Sequence, residues 1–292
     1  MIKKFNDLNL NDSFLFAAFF ENPDNCKMML EILMEQEISD LSVKSEHNLL
    51  VSSDVKCIRL DIYATDELHV NYNIEAQNQK RNDLVKRSRF YQGEMDVASL
   101  KPGEGYNKLE KSYVIFICTF DPFEKGLFKY TFEETCKENG MPLGDETAKI
   151  FFNTKGTNKE NVSEELIEFF QYFENTTDEY VEKTNNHKIQ ELHKRVKAIK
   201  MSREWEAGYM KYEEIIRNTL LEGWNEGKNQ GLIEGKIEGK IEGLFMVLER
   251  FGELPDNLVK KINETDDIDT LNCWFRQAIE AKSITDFTQN IS

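Results

Sequence analysis

What this 292-residue chain lacks narrows it quickly. Its longest apolar runs, FLFAAFF at 14–20 and VIFIC at 114–118, fall far short of the roughly eighteen residues a bilayer span requires, so no membrane segment is expected. The opening MIKKFNDLNLND carries no apolar stretch followed by small cleavage-site residues, which makes a cytoplasmic protein the expectation. Cysteine is sparse. The five cysteines form no CxxC pair, and Cys57 and Cys118 lie in apolar, strand-like runs, so buried thiols are expected instead of a disulfide framework or a zinc ribbon. Of four histidines only His187 and His193 are close, and six residues apart they do not share a helix face, which gives a histidine metal site little basis. Positive charge is also short. A net charge of -16 excludes a general nucleic-acid coat protein, so any DNA contact must be local.

What is present suffices for a core, with 40% hydrophobic and 11% aromatic residues. Apolar spacing predicts helices over 10–21 and 26–37, with Asn11 or Asp12 as N-cap of the first and Pro23 breaking between them. Alternation predicts strands over 55–64 and 70–77, joined by a polar turn near Asp66 and Glu67. Helical period returns over 83–100 and stops at KPGEGY. SYVIFICTF reads as a central strand covered on both faces, LFKYTFEE and TAKIFFNT as further strands, and SEELIEFFQYF as a helix capped by Ser163. The expected class is α/β, a mixed sheet flanked by helices with a C-terminal all-helical extension. The expected divisions are a core at 1–176, a helical extension at 177–250 and a terminal helical unit at 251–292.

Strand alternation places Cys57, Arg59, Asp61 and Tyr63 on one face of the first strand of the pair, and Asn71, Asn73, Glu75 and Gln77 on one face of the second. A hairpin turning near 66–69 sets Asp61 opposite Glu75 or one pair away, roughly 5 to 8 Å between β-carbons. Two such carboxylates can hold a hard divalent cation. Mg²⁺ prefers one or two carboxylates and keeps its other positions for water and phosphate oxygens. The plainer alternative is a hairpin whose polar face meets water.

Residues 80–91, KRNDLVKRSRFY, set Lys80, Arg81, Lys86, Arg87 and Arg89 against a single Asp83. Such a run can be a solvated helix face. Arg87, however, falls within the apolar stripe of Leu84, Tyr91, Met95 and Ala98, and an inward arginine calls for an anionic partner.

Taken in order, NDSFLFAAFF, LDIYA, NIEAQ, KRSRFYQGEM, LKPGEGYNKLEKSYVIFI and the late glycine-glutamate repeats before FGELP resemble the Rpn family of recombination-promoting nucleases and transposases, within the PD-(D/E)XK nuclease superfamily. The resemblance implies a restriction-endonuclease-like core and a DNA endonuclease using Mg²⁺, with Mn²⁺ as substitute, linked to recombination. It assigns Asp61 and Glu75 to the metal and puts Gln77 where the superfamily has lysine. Asp12 matches an acidic residue of the N-terminal helix that joins the metal site or its water shell, and Arg87 with Tyr91 matches the helix after the motif. Glutamine can position water but cannot stabilise charge developing on phosphate, so Arg87, or else Lys80, is the candidate for the missing cation. Lys80, Arg81, Lys86 and Arg89 are the expected DNA contacts. Two plainer roles stand beside these: Asp12 as a helix cap and Tyr91 as a core residue.

Glycine recurs at Gly223, Gly227, Gly231, Gly235, Gly239 and Gly243 within helical sequence, at a cost of about 5 kcal/mol relative to alanine. Close approach of a second helix would compensate. Lys228, Lys236 and Lys240 follow glycines, and Glu226, Glu234, Glu238 and Glu242 precede them, so a parallel pair faces glutamate with lysine and a parallel homodimer is expected. Ile233, Ile237 and Ile241 form a separate ridge for the same chain or another partner. An expandable repeat with no fixed partner is the alternative. The rival to an endonuclease is a catalytically degenerate nuclease fold acting as an interaction module through this tail.

Overall fold

The computed structural model describes residues 3–45 and 62–290. The chain divides into two compact units, Met1–Glu213 and Glu214–Ser292.

The first unit opens with α1 (Ser13–Phe20) and α2 (Pro23–Met34). Every residue of α1 after Ser13 is buried, as an all-apolar helix requires. Asn22 caps α2, its Oδ1 accepting from the amides of Asp24 and Asn25 at 2.9 and 3.3 Å. Pro23 takes the first helical position, where its missing N–H costs nothing, so it starts a helix as well as separating two.

Strands β1 (Leu41–Ser45), β2 (Ile62–Asp66) and β3 (Asn71–Gln77) form an antiparallel meander. Then follow α3 (Leu84–Ser99), β4 (Ser112–Cys118), β5 (Lys129–Phe132) and β6 (Thr147–Asn153). The sheet order is β1-β2-β3-β4-β6-β5, with β4 parallel to both neighbours and β5 antiparallel to β6. The apolar run of β4 lies inside the sheet, and Val114 to Cys118 are all fully buried, as a doubly covered strand demands. β1 has too little apolar alternation to be foreseen from sequence, and the expected strand residues 55–61 lie outside the described residues.

One face of the sheet packs on α1, α2 and the helices α4 (Glu164–Glu174), α5 (Asp178–Val181) and α6 (His187–Lys200). Ser163 caps α4 as expected, its Oγ accepting from Leu166 N at 3.2 Å. The other face carries a smaller cluster in which Leu84, Tyr91 and Met95 of α3 meet Val114, Phe116, Tyr130 and Phe151. Ala98, expected in that stripe, is exposed, and the buried polar residues Ser88 and Gln92 belong to it instead.

The core division at 176 moves. Ile189, Leu192, Val196, Ile199 and Tyr209 lie in the same hydrophobic cluster as the sheet, so the first unit runs on to Glu213. Charged helical sequence conceals this because only one stripe of α6 is apolar.

The long helix α7 (Arg203–Leu248) begins in the first unit and ends in the second, where α8 (Asp256–Asn263), α9 (Ile268–Glu280) and α10 (Ile284–Asn290) complete a separate core around Leu244, Leu248, Leu258, Ile262, Leu271 and Phe287. Of the isoleucine ridge, Ile237 and Ile241 pack on this core while Ile233 is exposed. The glycine stripe is not uniform either. A β-carbon on Gly243 would meet the Phe275 ring at 3.1 Å, whereas nothing lies within 4 Å of one placed on Gly223, Gly227, Gly231, Gly235 or Gly239.

Candidate active site

The β2–β3 hairpin has the expected alternation. Ile62 pairs with Ile74 and Tyr63 with Asn73, so Tyr72, Ile74 and Ala76 face the larger core while Asn73, Glu75 and Gln77 face α3. Asp61, the other expected metal carboxylate, lies outside the described residues, as do Cys57 and Arg59.

α3 aims Arg87 at that face. Its Nη2 is ion-paired with Glu75 Oε1 and donates to the Tyr91 hydroxyl at 2.9 Å, while Nη1 donates to Gln77 Oε1 at 3.1 Å. The side chains of both Arg87 and Glu75 are mostly buried. Burial pulls the arginine pKa down, but the Glu75 carboxylate and the Tyr91 hydroxyl more than reverse this and hold it above its ordinary value. The guanidinium also lies over the Tyr91 and Phe116 rings, 5.5 and 5.7 Å from their centroids. Tyr91 is thus both a core residue, stacked on Phe116, and a hydrogen-bond partner of the inward arginine.

The Gln77 amide nitrogen donates to the Gln79 carbonyl at 2.7 Å, so both ends of this side chain are held. The strand end is tied further by Thr119 N donating to Gln77 O at 3.1 Å. On β4, burial pushes the Cys118 thiol up to about 12, which keeps it protonated and out of nucleophilic chemistry at neutral pH.

The remaining cations divide. Lys80 pairs with Glu124, and Arg81 forks onto Asp83 through Nε–Oδ1 at 3.1 Å and Nη2–Oδ2 at 2.9 Å. Lys86 and Arg89 are exposed on α3 and have no carboxylate partner among the described residues. Local charge counting alone cannot separate these pairs, because Glu124 is forty-four residues from Lys80.

Asp12 is the N-cap of α1, its Oδ1 accepting from Phe14 N at 3.2 Å. Burial raises its pKa, opposed by that hydrogen bond and by Lys3, with Glu213 adding to the rise. Asp12 therefore has the capping role. Strand alternation marks Asn73 only as part of a polar face. It is fully buried, and neither amide atom has a hydrogen-bond partner among the described residues. Its place on the Glu75 face is the only sequence signal for it.

Among the described residues no three histidine, cysteine, aspartate or glutamate side chains converge as a metal cage. The oxygen donors that do converge, the Glu75 carboxylate and the Gln77 amide, are hard ligands of the type that Mg²⁺ or Mn²⁺ takes together with water.

A mixed sheet with helices on both faces, bearing a carboxylate, an amide and a guanidinium between its third strand and third helix, defines a nuclease-like α/β protein. Residues 10–219 match the family described as PD-(D/E)XK nuclease family transposase, and the chain belongs to that family. No curated protein and no solved structure matches it. The family supports a nuclease-like function. Among the described residues no helix is long and apolar enough to cross a membrane.

Proposed function

We propose that this protein is a divalent-cation-dependent DNA endonuclease that hydrolyses phosphodiester bonds in recombination or transposition. The observation that carries the reading is the inward Arg87, which meets Glu75 and Gln77 on one strand face. Glu75 and Asp61 would hold Mg²⁺, or Mn²⁺ in its place; Ile62, bonded to Asp61, pairs with the residue before Glu75. Bound there, the cation would neutralise phosphate charge and make a water more acidic. Gln77 offers an amide oxygen to orient a water or a phosphate group. Arg87 has donors in a fixed fork and faces the same site, so it supplies the positive charge that glutamine lacks at the lysine position. Asp12 would join through the cation's water shell. Lys86 and Arg89 are the cations free to meet the DNA backbone, with Lys80 and Arg81 available once their exposed pairs open.

The chain would act as a parallel homodimer, which brings two strand-cutting sites together. Leu220, Trp224 and Leu232 of α7 are exposed beside the open glycine stripe, and a second copy in parallel would cover them with glutamate facing lysine. The same exposed helix favours the second reading, in which a degenerate nuclease fold serves as an interaction module. Supercoiled plasmid incubated with Mg²⁺ separates the two. Wild type should nick or linearise it and Asp61→Ala and Glu75→Ala should not; equal, background-level conversion by all three would leave the interaction module standing.

A further inference from the structure

Beside the candidate active site a groove of about 720 Å³ opens between β2, the start of β3 and the outer face of α3. Tyr63, Asn71, Arg89, Phe90, Gly93 and Glu94 are among its walls. The volume is that of a site for one small organic group, too small for a duplex. It shares strands with the Glu75 face: its wall residue Tyr63 pairs across the hairpin with Asn73, two residues along β3 from Glu75. α3 serves both places, presenting Arg87 and Tyr91 inward and Arg89, Phe90 and Gly93 to the groove.

Three features of this groove are unexplained by the packing of the described residues. Phe90 is 60% exposed although it is a large apolar ring on a regular helix. Gly93 sits in the middle of α3, where glycine costs stability, yet a β-carbon there would meet nothing within 4 Å. Arg89 has no carboxylate partner among the described residues of a strongly acidic chain. An aromatic face, an open glycine floor and an unpaired cation together fit a planar base joined to a phosphate.

Resting on the nuclease reading, we propose that this groove holds one unstacked nucleotide of a DNA single strand next to the bond to be cut. The base stacks on Phe90, with Tyr63 as the opposing aromatic wall, and Arg89 takes the adjoining phosphate. Base stacking tolerates every base, so the groove selects strand state and not sequence.

The test uses the full chain without divalent cation, a fluorescently labelled short oligothymidylate, and a duplex of equal length, read by anisotropy. The single strand should bind more tightly than the duplex. Phe90→Ala should weaken strand binding about tenfold, the scale of one lost base–aromatic stack. Gly93→Leu starts from a β-carbon that meets nothing within 4 Å among the described residues and projects into the groove, and should weaken strand binding comparably while the thermal midpoint is kept or raised. Phe90→Trp should restore binding. Strand affinity unchanged in both folded variants, as a groove for a protein partner would give, or wild-type preference for the duplex, overturns the proposal. Glu75→Gln should abolish cleavage and retain strand binding. Cleavage retained by Glu75→Gln alongside groove-dependent strand binding would overturn the catalytic assignment alone.

Discussion

The face of β3 and the middle of α7 both break a rule of their element, and the chain resolves only one of them. On α3 an arginine occupies a position that faces inward, and Glu75, Gln77 and Tyr91 satisfy it from within the same unit. On α7 glycine recurs every fourth residue. Within that repeat and among the described residues, Gly243 alone finds a neighbour, the Phe275 ring, while Gly223 to Gly239 face open space beside exposed leucine and tryptophan side chains. The difference shows where to look for function. A satisfied irregularity costs the protein little and can be held ready for chemistry, whereas an unsatisfied one remains a net cost until something outside the chain meets it.

The largest effect should come from breaking the satisfied pair. Arg87→Ala leaves the Glu75 carboxylate mostly buried without its ion-pair partner, which should cost about 2 to 3 kcal/mol of stability after discounting for partial exposure. It should also reduce Mg²⁺-dependent cleavage by about a hundredfold or more, on the scale of losing one pre-organised donor. Glu75→Gln in the Arg87→Ala background should recover much of the stability and none of the cleavage, as urea unfolding beside a plasmid assay would show. Unchanged stability in Arg87→Ala would mean that the pair is dispensable to the fold.

Breaking the other region should give the reverse pattern. Leucine at Gly223, Gly227 and Gly231 places its β-carbon where nothing among the described residues lies within 4 Å, and replaces poor helix formers with good ones. Each substitution should therefore stabilise the isolated helix by about 0.8 kcal/mol. If α7 pairs with a second copy through its glycine stripe, the triple variant should run as a monomer in light scattering while wild type runs as a dimer. An identical mass for the two proteins would remove the stripe from the interface.

The elements with strong period are legible in the sequence itself: α3, the doubly buried β4 and the capped α4 all lie where apolar spacing puts them. The inward direction of Arg87 is legible too, because the position of a residue on a helix stripe is a local property. Its partners are less so. That Glu75 is the ion-pair partner follows from the parallel and antiparallel pairings that seat β3 under α3, and Glu124 reaches Lys80 only through a loop closed far along the chain. The extent of the first unit is hidden for the same reason, since α6 joins the sheet's core through one narrow stripe within charged sequence.

Asp12 provides the smallest and sharpest test of whether a residue already satisfied inside the chain also serves chemistry. As the cap of α1 it accepts from Phe14 N, and replacement by alanine should cost about 1 kcal/mol. Asparagine caps as well as aspartate, and it removes a carboxylate whose pKa burial has raised. The sign follows from that rise. An acid that binds its proton more tightly in the fold contributes stability below its unfolded pKa of about 4, and that contribution is lost as pH rises through the folded value. Wild type should therefore lose stability relative to Asp12→Asn as pH rises from about 3 through the unfolded value and up to the raised folded one. Thermal midpoints across that range would show it, and wild type gaining stability relative to Asp12→Asn as pH rises would contradict it. Cleavage decides the second role. A residue that only caps leaves Mg²⁺-dependent plasmid conversion unchanged in Asp12→Asn, whereas a carboxylate in the metal's water shell loses it while the fold stays intact.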